Sequence, residues 1–186
     1  PGNVACWGDN RDHQLGSGSQ AASSNEPVTV SLSNVEEVAA GAFHTCVLAS
    51  AVRCWGSNFS GQLGNGTTTA SAAPVSLQSN LGVGAVDLVA GDAHTCMLLY
   101  DGTVWCWGNN QLGAVGDGTS VVTRTTPVQV VGLPGAVALS AGGSTTCAVA
   151  ADGTVRCWGL NGNGQLGSGT TDAWSTVPVQ VAGITA

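Results

Sequence analysis

Seven cysteines, three histidines and six tryptophans supply most of the side chains that could react, ligate or recognise in this 186-residue chain. Six of the cysteines stand in couples, Cys46 with Cys54, Cys96 with Cys106 and Cys147 with Cys157. Tyr100-Asp101-Gly102 lies midway between Cys96 and Cys106, and Ala151-Asp152-Gly153 lies midway between Cys147 and Cys157. A three-residue loop ending in glycine, a type I turn followed by a left-handed residue, places such cysteines directly opposite each other on antiparallel strands. Cys46 and Cys54 flank a hairpin two residues shorter, centred on Ser50, and keep that opposition. A cross-strand disulfide is the expected state of each couple, and each would contribute about 2–3 kcal/mol. Free buried thiols and metal sites are the alternatives, although cysteine spacings of eight and ten do not resemble zinc knuckles. Disulfides imply an oxidising compartment and therefore export. Cys6 is expected to be unpaired in this chain, since its hairpin mate would lie before Pro1.

The histidines and tryptophans divide by whether they recur. His44 and His94 occupy a repeated turn beside a strand, with no Asp or Glu pattern repeating around them. Each is expected to be structural, bonded to neighbouring backbone, rather than a ligand or a base. His13 stands where another copy has Gly61 and is expected in an exposed loop. Trp7, Trp55, Trp107 and Trp158 recur in phase and are expected in the core between repeats. Trp105 and Trp174 do not recur, and the residues matching Trp105 are Ala5, Arg53 and Arg156. A position that tolerates arginine faces solvent, and exposed aromatics anchor partners. Trp105 and Trp174 are therefore the candidate ligand contacts.

No catalytic or cofactor site is expected. No Ser-His-Asp or Cys-His nucleophile set can be assembled, least of all from bridged cysteines. Gly162-Asn-Gly164 lacks the Gly-Lys-Ser/Thr ending of a phosphate loop, and no dense series of oxygen ligands suits calcium. Asn58-Phe-Ser60 and Asn65-Gly-Thr67 fit the glycosylation pattern, which matters only in a host that has the machinery.

Behind these residues stands a repeat. Cys157-Trp-Gly-Leu-Asn-Gly-Asn-Gly-Gln-Leu-Gly-Ser-Gly169 recurs from Cys6, Cys54 and Cys106, at steps of 48, 52 and 51 residues. A fixed period of this size signals a repeat architecture. Each period joins two halves, the tryptophan-glycine half ending in Pro-Val, and a half reading Val-Ala-Ala-Gly, a polar turn and Thr-Cys. Short Val/Leu/Ala/Cys/Trp runs bounded by Gly, Asp and Asn indicate strands, and no window carries a sustained helical period. Thr95-Cys96-Met97-Leu98-Leu99 does not alternate, so its sheet is expected to be covered on both faces. About four strands fit one period, which predicts an all-β chain of four-stranded antiparallel propeller blades. The expected organisation is a single repeat domain over 1–186, with repeats at about 1–36 (partial), 37–84, 85–136 and 137–186. At about 3.6 repeats it is an incomplete propeller unless further sequence or another chain completes it.

Ala-Gly-x-x-His-Thr-Cys (to Cys46 and Cys96), Asp-Gly-Thr-Val-x-Cys-Trp-Gly (Asp101–Gly108 and Asp152–Gly159) and Gly-Gln-Leu-Gly-x-Gly (Gly61–Gly66 and Gly164–Gly169) together resemble the regulator of chromosome condensation repeat family. The paired cysteines look like those of exported bacterial members. The resemblance implies a β-propeller, usually of seven blades. Thr145 replaces the histidine in the third copy, and Ala114-Val115-Gly116 replaces Gln-Leu-Gly.

Net charge is −7, from 11 acidic residues against four arginines and no lysine. Nucleic acid and anionic membrane surfaces need a basic footprint, so neither is an expected partner. No apolar run approaches a membrane span. A constant frame carries variable Ser/Thr-rich loops at 17–25, 67–73, 119–126 and 170–176, where function is expected to sit. The leading expectation is an exported protein-binding or scaffold module, secreted or held at a bacterial surface or in the periplasm. The alternative is a self-associating surface or filament subunit, a homodimer or polymer joined through open blade edges. Nucleotide exchange on a small GTPase, the activity of the family's eukaryotic namesake, fits poorly with disulfides and an acidic, lysine-free surface.

Overall fold

The computed structural model describes residues 2–184. Short apolar runs cut by glycine give fourteen strands there: β1 (Val4–Asp9), β2 (Ser23–Val30), β3 (Glu37–Ala40), β4 (His44–Leu48), β5 (Arg53–Gly56), β6 (Ser71–Ser76), β7 (Ala85–Ala90), β8 (His94–Leu99), β9 (Val104–Asn109), β10 (Thr123–Gln129), β11 (Ala136–Gly142), β12 (Thr145–Ala150), β13 (Val155–Leu160) and β14 (Trp174–Gln180). A 3-10 turn at Asn80–Gly82 is the one helical element among the described residues.

The strands form three four-stranded antiparallel sheets in up-and-down order, β3 to β6, β7 to β10 and β11 to β14, and a two-stranded sheet of β1 and β2. The structure is thus a partial propeller, three full blades and a half-blade, and its sheets do not close into a ring. The first strands of the full blades, β3, β7 and β11, lie against one another. Their ends bring Gly41, Gly91 and Gly142 together around a common centre.

Blades stack through side chains projecting from both faces of each sheet, which is why strands such as β8 are buried on nearly every residue. Leu48, Leu63 and Leu77 of one blade meet Leu88, Met97 and Trp107 of the next. The following junction repeats this with Leu98, Val115 and Val130 against Ala148 and Trp158. The glycine after each tryptophan makes the stacking possible. Gly8, Gly56, Gly108 and Gly159 sit at φ 104°, 105°, 102° and 102°, a region open to glycine. The pairing register shifts beside three of them, between Cys6 and Gly8, Cys54 and Gly56, and Cys157 and Gly159. A Cβ on Gly159 would strike the Ser144 carbonyl.

Candidate protein-binding face

Asparagine four residues after each repeated cysteine builds the display loops. Asn10, Asn58, Asn110 and Asn161 are buried. Each accepts, through Oδ1, the backbone N–H five residues on, from Leu15, Leu63, Val115 and Leu166 at 3.0–3.1 Å. Each Nδ2 donates back to carbonyls further along its loop: Ser19 and Ala21, Thr67 and Thr69, Thr119 and Val121, and Asp172. One amide therefore closes the tight turn and fixes the root of the variable loop. Buried polar groups without partners are costly, so this satisfaction sets the loop path. The same bonding corrects the glycosylation expectation at Asn58, whose Nδ2 is fully buried and engaged.

The loops are also pinned to the next blade. Gly18, Gly66 and Gly118 donate to the carbonyls of Ala72, Thr125 and Thr176 at 2.9 Å. Beneath them lies a shared polar knot. Trp55, Trp107 and Trp158 are fully buried, and each indole N–H donates to a carbonyl of the preceding blade, of Gln14, Gln62 and Ala114, at 2.8–2.9 Å. The hydroxyls of Thr45, Thr95 and Thr146 donate to the same three carbonyls at 3.0–3.1 Å. Because Thr95 and Thr146 spend their protons this way, they accept from His44 Nε2 at 2.9 Å and His94 Nε2 at 2.8 Å. This sets the Nε2–H tautomer of both rings. The histidine partners are thus hydroxyls on the next blade, not the neighbouring backbone expected from sequence. Burial lowers His44 to about 3, helped by His94, and burial lowers His94 to about 4. Both rings are neutral at physiological pH, and no group of metal-ligating residues gathers among the described residues.

Cys46 is bonded to Cys54, Cys96 to Cys106 and Cys147 to Cys157, each pair directly opposite in register with Cα atoms 4.0–4.1 Å apart. Cys6 is a free, half-buried thiol whose pKa is raised by burial.

Several aromatic and histidine expectations need correction. Trp7, expected in the core with its three counterparts, is 65% exposed, because no blade lies on its side of the half-blade. Trp105, expected in solvent, is half-buried against the core between the second and third blades, and its indole N–H donates to Thr103 Oγ1 at 3.2 Å. His13 is half-buried rather than exposed, at φ 66°, in the conformation that Gly61, Gly113 and Gly164 take at the matching position.

Trp174, the other candidate, is 50% exposed at the start of β14. Val177 on the same strand is exposed, as are Val121 and Val122 in the loop of the preceding blade, whose Gly118 bonds to Thr176. Within that loop Arg124 Nε donates to Asp117 Oδ2 at 2.6 Å. Burial works against the Asp117 carboxylate, but Thr119 and Arg124 hold its pKa below the usual value. The arrangement is a rigid frame that presents apolar and hydroxyl-bearing loops, with no assembled set of reactive groups.

The repeat described as "Regulator of chromosome condensation (RCC1) repeat" matches residues 1–48, 52–98, 101–149 and 152–186, and a second version matches 85–114 and 136–165. Human E3 ubiquitin-protein ligase HERC2 is 32% identical over 179 residues, which cover 92% of this chain and 4% of that protein. Rat probable E3 ubiquitin-protein ligase HERC4 is 34% identical over 176 residues, 90% of this chain and 17% of that protein. The chain therefore spans a small part of these relatives and matches them over repeats alone. Among solved structures, yeast RCC1 (Prp20) bound to Kap60 superimposes with a TM-score of 0.84 at 23% identity, over 97% of this chain and 44% of that one. Human WBSCR16 gives 0.83 at 27% identity, over 95% of this chain and 48% of that one.

Proposed function

Because the chain belongs to the regulator of chromosome condensation (RCC1) repeat family, we propose that it is an exported, non-enzymatic protein-binding module that grips its partner through the variable loops. The observation that carries this reading is the contrast between frame and loops. The same asparagine, tryptophan and threonine bonds recur in successive repeats, while loops of differing sequence hang from them exposed. Trp174, with Val121, Val122 and Val177 around the same pair of blades, is the proposed anchor. Large aromatics at the centre of such patches carry much of the binding energy in protein interfaces. Yeast RCC1 (Prp20), which shares the fold, is a protein seen bound to another protein, Kap60. Three disulfides support an oxidising location, secreted or at a cell surface.

The test is capture from extracellular and periplasmic extracts on immobilised protein, beside three variants of matched stability. Trp174→Ala is expected to weaken capture of specific partners at least tenfold, and Trp105→Ala to leave it unchanged. An identical captured set with Trp174→Ala, and with residues 170–176 replaced by glycine and serine, would refute the reading.

A second reading, self-association into a homodimer or filament, draws on Trp7, exposed on one flank of the blade stack, and Val149, exposed on the other. Native mass with and without reductant separates the two. A single monomeric species at high protein concentration eliminates self-association.

A further inference from the structure

The hairpin β4–β5 lacks the Asp-Gly-Thr turn that β8–β9 and β12–β13 carry at Asp101–Thr103 and Asp152–Thr154. The loss changes the surroundings of one arginine. Arg156 has its Nη2 3.6 Å from Asp152 of its own hairpin. Arg53 holds the same position on β5, directly after Ser50-Ala51-Val52, with no acid in its hairpin. Arg11 and Arg124 are paired as well, with Asp9 and Asp117. Among the described residues, Arg53 is therefore the one arginine of four without an ion pair, in a chain of 11 acids.

Arg53 borders a pocket of about 240 Å³. One wall is the hairpin, with Val52 and Arg53, and the other is the chain that leaves β6, from Ser76 to Val83. Val52 and Leu77 are buried and fix the two walls in the core. The walls meet at Gly82, where a Cβ would stand 3.0 Å from the Val52 backbone nitrogen. Ser76 lies directly opposite Arg53 across β5 and β6, so both side chains share one face. Ser79 Oγ is shut off from solvent and has no hydrogen-bond partner among the described residues. A buried hydroxyl left unpartnered is costly, and folded proteins seldom keep one without a use. The whole lining falls within residues 51–83, inside one complete four-stranded blade. β5 starts and β6 ends beside the pocket, while the variable loop at 67–73 joins their far ends. The pocket and that loop are thus at opposite ends of the same strands.

We propose that this pocket binds a short aliphatic carboxylate, independently of the protein-binding loops. Arg53 takes the carboxylate through paired N–H donors, the geometry that its planar fork favours. Ser79, and Ser76 beside it, donate their hydroxyl hydrogens to the same oxygens. The branched tail of the acid packs against Val52, Leu77 and Val83. At about 240 Å³ the pocket is below the roughly 300–1,000 Å³ of drug-sized sites, so the acid is small. A single cation in a chain of net charge −7 suits a monoanion better than a dianion such as phosphate, which also has no tail for the apolar wall.

The probe is isovalerate, titrated into the whole chain and followed by backbone amide shifts in NMR. Saturable shifts confined to residues 51–53 and 76–83 are expected. Isovaleramide, of the same shape without the charge, should bind at least tenfold more weakly. Arg53→Gln should lose at least tenfold in affinity for isovalerate, and Ser79→Ala several-fold. Arg53→Lys, which keeps the charge but not the fork, should fall between, and it carries the test if Arg53→Gln does not fold. Arg156→Gln, at the matching position of the last blade, should leave the affinity unchanged. An N-acetylated peptide ending in Ala-Val presents the same chemistry at a chain terminus. If it binds more tightly than isovalerate the source is a protein C-terminus, and if more weakly a free acid. The proposal is overturned by no saturable shift with either probe, by equal binding of isovaleramide, by phosphate binding as tightly as isovalerate, or by full affinity in a folded Arg53→Gln protein.

Discussion

At the junction of the second and third blades, His44, Thr95 and Trp107 are linked by hydrogen bonds that converge on the Gln62 carbonyl. At the junction of the half-blade with the second blade, Thr45, the Gln14 carbonyl and Trp55 repeat the lower part of that network, and the histidine is missing. The apolar residues respond to the same difference. Val47 and Trp55, which face the strands that are present, are fully buried, while Val38 is left open. The two junctions use the same residue types at the same spacing and still differ in what they shield. Burial in a repeat stack is a property of the neighbour, not of the motif. Stability should accordingly be concentrated between full blades and thin out toward β1, as expected of nearest-neighbour stacking.

The largest expected effect comes from the repeated tryptophan. Trp107→Ala should cost about 3–5 kcal/mol by leaving a cavity and removing one of the two hydrogen bonds that the Gln62 carbonyl accepts. Trp7→Ala, the same substitution at the open flank, should stay within about 0.5 kcal/mol. Urea denaturation of both variants checks the pair, and comparable losses would erase the contrast between the two regions.

Next is pH. His44 and His94 are held at about 3 and about 4 when folded, below the free value of 6.5, so the unfolded chain takes up their protons first. The stability they support is full above about pH 6.5 and is lost as pH falls toward 4 and 3. With both rings contributing, the slope in that window is about 2–3 kcal/mol per pH unit. Denaturation midpoints between pH 7 and 4 should show this fall, and a double His44→Gln, His94→Gln variant should flatten it.

The smallest effect concerns His13, which holds φ 66° where the other repeats place glycine. His13→Gly should raise stability by about 0.5–1 kcal/mol, relief of left-handed strain being partly offset by glycine's unfolded-state entropy. A rise in thermal midpoint of a few degrees or less is the measurable sign.

Much of the frame is legible in the sequence, because strand, turn and period are all local signals. The glycine-ended turns between Cys96 and Cys106 and between Cys147 and Cys157 define register without knowledge of the rest of the fold. The contacts that cross from blade to blade are harder to read. Thr95 follows His94 in sequence but serves His44, 51 residues away, and only that match between separation and period hints at it. Asn10, Asn58, Asn110 and Asn161 recur visibly after each Cys-Trp-Gly, yet their acceptors are backbone carbonyls that leave no trace in residue type. Trp7 and Trp105 mislead in opposite directions. Trp7 shares the type and phase of three buried tryptophans but has no neighbour, and Trp105 matches arginines but packs its ring along the core edge.

The asparagine anchor has a consequence for how such a chain can change. A carbonyl belongs to every residue type, so the amide holds its loop whatever side chains are strung between the two ends. Residues 19–21 or 170–172 could be randomised without disturbing the scaffold below. Four neighbouring repertoires would then lie side by side on one small protein, a ready format for selecting new binders from a library.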